Sequence, residues 1–125
     1  MTDISHISGN TFSASVAHEG HELVVRLEGN ADVHAKPHLE ALFGTVDNSA
    51  RSLAVDEVRV DIRQLAFLNS SCFKDFISWL DRVHDAAPGQ QYRVRFLSSV
   101  NRHWQKRSLH ALSCFAPGLV TIEPS

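Results

Sequence analysis

Val58-Arg59-Val60-Asp61-Ile62, followed after Leu65-Ala66 by Phe67-Leu68-Asn69-Ser70-Ser71-Cys72-Phe73, is the stretch that decides the fold. In its first part apolar Val58, Val60 and Ile62 alternate with Arg59, Asp61 and Arg63, the period of a strand with one apolar and one polar face. One side of the sheet is therefore expected to be wet. In its second part Asn69, Ser70 and Ser71 are three capping residues in a row, and Phe73, Phe76, Ile77, Leu80 and Val83 recur behind them at helical spacing. A strand thus leads through a short turn into the N-terminus of a helix.

Upstream, Phe12, Ala14 and Val16 alternate with Ser13 and Ser15, and a His18-Glu19-Gly20-His21 turn leads into Leu23, Val25 and Leu27. This reads as a hairpin, with Gly29-Asn30 expected to break its second strand. Pro37 suits a first helical turn, and Leu39, Leu42, Phe43 and Val46 predict a helix of about a dozen residues before a polar loop, Asp47-Asn48-Ser49-Ala50-Arg51-Ser52. Downstream, Pro88-Gly89 ends the second helix and Tyr92, Val94 and Phe96 mark a strand. Val100, Trp104, Leu109, Leu112 and Phe115 mark a third helix, and Pro117-Gly118 introduces a last strand, Leu119 to Ile122. The order β-β-α-β-α-β-α-β predicts an α/β fold: a mixed sheet with helices packed mainly on one face. Residues 11–125 form this domain and residues 1–10 are expected to be an N-terminal tail.

The chain of 125 residues and 13.9 kDa has the size of one domain, and 43% hydrophobic with 21% charged residues is ordinary globular composition. Its formal net charge of −2 argues against a dedicated nucleic-acid binder. The average hides an asymmetry: residues 1–92 carry thirteen acids and seven bases, whereas residues 93–125 carry one acid, Glu123, and five bases. No apolar run approaches the roughly 18 residues of a membrane span, and the first residues lack the regions of a signal peptide, so a cytoplasmic location is expected. Cys72 and Cys114 fit no metal or redox spacing and read as two buried thiols of a reducing compartment.

Three local signatures, with the order of elements, resemble the STAS domain, the fold of bacterial anti-sigma factor antagonists, over roughly residues 11 to 123. The first is Leu27-Glu28-Gly29-Asn30-Ala31-Asp32, similar to the family's apolar strand, glycine and aspartate. The second pairs Asp61 with the turn at Asn69-Ser70-Ser71-Cys72-Phe73, where the family has an acid or amide on the strand and, eight residues later, Asp-Ser-Ser-Gly-Leu. The third is the strand around Val94 to Leu97 with Ser98, Ser99, Val100 and a helix behind it. Two positions depart: Asn69 stands where the family has Asp, and Cys72 where it has Gly. The resemblance implies phosphorylation at Ser70, with Ser71 as the alternative, by a serine kinase that is often the anti-sigma factor itself, and reversal by a phosphatase. It also implies a docking surface that includes Asp32, Asn69, Ser70, Ser71 and Cys72. The same fold serves, unphosphorylated, as a subunit that docks on the ATPase of phospholipid-trafficking ABC transporters. Neither role is enzymatic, and neither needs a cofactor.

A switch at Ser70 is chemically intelligible. Phosphoserine carries about −1.5 to −2 charges, and a helix N-terminus offers it unpaired N–H groups and the positive end of the macrodipole. Folding survives, while a docking site shaped for a neutral hydroxyl meets a desolvated double charge. Asn69 caps as well as Asp but removes one negative charge: a kinase that reads the acid is slowed, and one merely repelled by it is helped. Cys72 either reshapes the contact or turns inward, and at a helix start its thiol pKa is open to lowering. Trp79, on the border between the apolar stripe and the polar face of the second helix, is a candidate interface anchor.

The remaining constellations carry less. His18-Glu19-Gly20-His21 is one residue short of a zinc-protease motif and lies in a turn, while His34 with His38, and His103 with His110, lack a third ligand. No metal site is expected. Arg93, Arg95, Arg102, Lys106 and Arg107 form a basic run around Trp104 that is either a solvated face or a contact for an acidic partner.

Overall fold

The computed structural model describes residues 2–8 and 11–124, with side chains from residue 11 to residue 124. Among the described residues the strands are β1 (Thr2–Ser8), β2 (Phe12–Glu19), β3 (Glu22–Ala31), β4 (Glu57–Leu68), β5 (Arg93–Ser98) and β6 (Val120–Pro124). The helices are α1 (Lys36–Ser52), preceded by a single 3-10 turn at Val33–Ala35, α2 (Ser70–His84) and α3 (His103–Phe115). Strand order in the sheet is β1-β2-β3-β4-β5-β6, with β1, β2 and β3 antiparallel and β3 to β6 parallel. Each parallel strand is laid down beside the last, so right-handed crossovers place all three helices on one face. Mixed sheet and one-sided helices match the expected architecture.

The structure adds one strand and lengthens one helix. Residues 2–8, within the expected N-terminal tail, pair with β2 as β1, while residues 1, 9, 10 and 125 lie outside the described residues. The polar 47–52 segment is no loop but the last turns of α1. Its polar groups find partners that sequence distance hides. Asp47 accepts from Arg51 Nε one turn on (3.2 Å) and from the Tyr92 hydroxyl (2.7 Å), which in turn accepts from Trp79 Nε1 (3.0 Å). Burial and the Asp47 carboxylate both push the Tyr92 hydroxyl up, so it stays a donor. Gly29-Asn30 likewise does not end β3, which runs to Ala31. Gly29 has φ +89°, where a Cβ would run into the Thr11 carbonyl oxygen, and Asn30 N–H donates to that oxygen at 2.7 Å. The glycine makes a bulge rather than a stop.

The two faces of the sheet differ as the alternation in β4 predicts. Val25, Leu27, Val58, Val60, Val94 and Phe96 are buried beneath the helices, where Phe43 stacks on Trp79 at 4.7 Å and meets Phe76 edge-on at 5.0 Å. The opposite face carries ion pairs: Arg59 with Glu22, Arg95 with Glu57 and Glu123, and Arg26 and Arg63 with Asp61. Asp61 accepts from Arg63 three times, at 3.1, 3.0 and 2.8 Å. Burial alone raises the pKa of its carboxyl, but the bonds from Arg63 outweigh burial and hold it below the ordinary 3.8. A folded-state pKa below the unfolded one means stability that is complete above the unfolded value and lost as pH falls through the folded value. Asp61→Asn is therefore expected to flatten the acid limb of the stability curve below about pH 4, read by urea denaturation at stepped pH. An acid limb identical to wild type would remove Asp61 from this role.

The ladder between β4 and β5 stops at Asp61 and Leu97, close to the end of β5, and β4 runs on past it to Leu68. Gln105 of α3 takes over there. Fully buried, it donates through Nε2 to the carbonyls of Ile62 (2.7 Å) and Leu65 (3.0 Å) and accepts from Ser99 N–H (2.8 Å). One side chain thus ties the start of α3 to the segment that delivers Ser70.

Candidate functional site

Asn69, the residue after β4, keeps an extended conformation (φ −66°, ψ 148°) and caps α2: its Oδ1 accepts from Ser71 N–H at 2.7 Å and from the Ser71 hydroxyl at 2.6 Å. The amide thus provides the cap that an aspartate would. The same bond separates the two serines. Ser71 is half-buried with its hydroxyl engaged, while Ser70 is exposed.

Three further contacts hold this turn. Asn69 N–H donates to the Ala31 carbonyl at 2.8 Å, joining it to the end of β3. Cys72 Sγ–H donates to the Asp32 carbonyl at 3.2 Å, and Asp32 Oδ1 accepts from His34 N–H at 2.9 Å. Lys36, at the start of α1, donates to the Ser71 carbonyl (2.9 Å) and to Asp75 Oδ1 (2.8 Å); the Asp75 bond dominates in raising its pKa. These contacts bring the loop after β3, with Asp32, against the start of α2, with Asn69, Ser70 and Ser71. Val33 (61% exposed) and Phe67 (48%) add exposed apolar area at the same end of the sheet.

Two expected contact residues are not on that surface. Trp79 is fully buried, stacked on Phe43 and bonded to Tyr92, so it belongs to the core and reaches no partner. Its place on the helix border misleads because α1 covers both the stripe and its edge. Cys72 is fully buried too, its thiol turned inward to the β3–α1 loop, whereas Cys114, expected to be buried, is exposed in the last turn of α3. Burial pushes the Cys72 pKa up and Asp75 adds to the rise, against the lowering that a helix N-terminus alone favours.

Lys36 and Asp75 join the site without having been singled out in the sequence, and Arg107, known only as part of the basic run, comes to lie beside Ser70. Asp75 had a signal: it interrupts the buried stripe Cys72, Phe76, Trp79, Leu80, and a carboxylate there requires a cation from elsewhere. Arg107 had none beyond the basic run. It lines, with Leu68, Ser70, Phe73, Ser108 and Ala111, a cleft of about 370 Å³ between α2 and α3. A cation of the basic C-terminal part thus shares a cleft with the serine of the acidic part.

No family model and no curated protein matches the sequence. Solved structures match the fold. An anti-sigma factor antagonist from Mycobacterium paratuberculosis superposes with a TM-score of 0.67 at 16% identity, over 92% of this chain and 87% of that one. A chain of the complex between the diguanylate cyclase SiaD and its activator SiaC from Pseudomonas aeruginosa gives 0.65 at 16% identity, over 98% and 100%. The Bacillus cell fate determinant SpoIIAA in its phosphorylated form gives 0.60 at 20% identity, over 88% and 90%. The fold is STAS-like.

Proposed function

We propose that this STAS-like domain is a reversible protein-binding module of the partner-switching kind, an anti-sigma factor antagonist or a relative, controlled by phosphorylation of Ser70. The observation that carries the reading is the division of labour at the α2 N-terminus. Asn69 and Ser71 complete the cap between themselves, so Ser70 is free to be modified without cost to the helix. Ser70 is exposed and lines a cleft with the apolar side chains of Leu68 and Phe73, on a fold shared with an anti-sigma factor antagonist and with a protein solved in phosphorylated form. The partners in this reading are a serine kinase that doubles as the anti-sigma factor and a phosphatase that resets the switch. The domain binds and is modified; it turns nothing over.

Phosphosite mapping of the protein purified from its native cells tests this, together with mass spectrometry of what it captures. Phosphate on Ser70 and recovery of a kinase-like ATPase or sigma regulator are expected. Phosphate confined to Ser71 would move the switch by one residue. An unmodified chain that recovers a transporter ATPase would replace the switch with the role of a docking subunit.

A further inference from the structure

We propose that the groove between α3 and β6 is a second docking surface, separate from Ser70, that takes an acidic peptide segment of a partner protein with an apolar side chain at its centre. The groove encloses about 610 Å³. Its floor follows from register: Phe96 pairs with Ile122 and Ser98 with Pro124, so Ile122 and Pro124 lie on the helix-covered side of β6. α3 is the last helix, and its buried residues Gln105, Leu109 and Leu112 face inward, which leaves Ile122 38% exposed. Val100, in the turn before α3, is 63% exposed and closes one end. Apolar side chains in a concave site of this size form a receptacle for another apolar side chain.

Charge identifies the occupant. His103, Lys106 and His110 recur along one side of α3 and form a rim with Arg102, whose Nε donates to the Arg63 carbonyl at 3.1 Å. None of the described residues lining the groove is acidic. On the open sheet face three arginines are paired within the fold, Arg59 with Glu22, Arg63 with Asp61 and Arg95 with Glu57. Among the described residues Arg102 and Lys106 have no carboxylate within ion-pair distance, so their charge is available to a partner's carboxylates. Carboxylates flanking an apolar anchor satisfy rim and floor together. β6 is also an edge strand, beside which an extended segment can lie and share backbone bonds.

The test uses two fluorescein-labelled decapeptides with a central Leu-Phe pair, one flanked by glutamates and one by lysines, titrated with the intact protein by fluorescence anisotropy. The glutamate peptide is expected to bind at least about tenfold more tightly, with affinity falling as salt rises. Lys106→Glu, an exposed helix position, should weaken it about tenfold while the melting temperature holds. Ile122→Ser should weaken it as well, and if that variant folds poorly Lys106→Glu decides alone. Equal binding of the two peptides would overturn the proposal, as would full affinity in Lys106→Glu or loss on Arg107→Glu alone, which would place the peptide in the Ser70 cleft. Cosedimentation with anionic phospholipid vesicles in place of peptide binding would assign the charge to a membrane surface and overturn it too.

Discussion

Ser70→Asp is expected to abolish capture of the switch partner while leaving the melting temperature within about 3 °C of wild type. The fold tolerates the charge because the side chain is exposed, the cap is completed by Asn69 and Ser71, and a carboxylate in the first helical turn interacts favourably with the macrodipole. The proposed interface is expected not to tolerate it: a charge desolvated against a site shaped for a hydroxyl costs several kcal/mol, enough to remove an interaction of ordinary affinity. Ser70→Ala should capture the partner as well as wild type and no longer respond to the kinase. Ser71→Asp should behave differently, because it sets a carboxylate against Asn69 Oδ1 in place of the donating hydroxyl and loses stability along with binding. The reading fails if Ser70→Asp and Ser70→Ala capture the kinase-like partner equally. Calorimetric titration of the purified pair gives the direct comparison.

Trp79→Ala is expected to destabilise the domain by about 3–5 kcal/mol, a large part of the roughly 5–15 kcal/mol that holds a domain of this size. The ring is fully buried, stacks on Phe43 and donates to the Tyr92 hydroxyl, so truncation opens a cavity and unties one end of the Trp79–Tyr92–Asp47 chain. Trp79→Phe keeps a ring against Phe43 but loses the indole donor and part of the volume, and its cost should fall between wild type and alanine. Urea denaturation measures both. A cost below about 1 kcal/mol for Trp79→Ala, with partner binding lost, would return Trp79 to the interface.

The corrections share one physical source. Asp47-Asn48-Ser49 reads as loop because such side chains compete locally with a helix backbone, yet Asp47 is satisfied by Arg51 and by Tyr92, 45 residues away, and the helix continues. Gly29 reads as a strand break because glycine is flexible, yet its use here is the close approach of Thr11. Cys72 reads as a thiol at a helix N-terminus, yet the β3–α1 loop closes over it. In each case the deciding partner comes from another element.

Local chemistry was enough for the rest. Alternation along the strands, the caps at Asn69-Ser70-Ser71 and the helical spacing behind them determined the order of elements from β2 onward, the one-sided packing and the place of Ser70 at a helix start, because periodicity and capping act over a few residues. Charge was different. By sequence, Ser70 lies in the acidic part of the chain and the basic run is a single tract. The fold divides that tract: Arg95 is paired on the open sheet face, Arg102 and Lys106 line the α3–β6 groove, and Arg107 lines the cleft with Ser70. Electrostatic neighbours are set by distance in space, and only the packing of α3 against the sheet decides which cation faces which group.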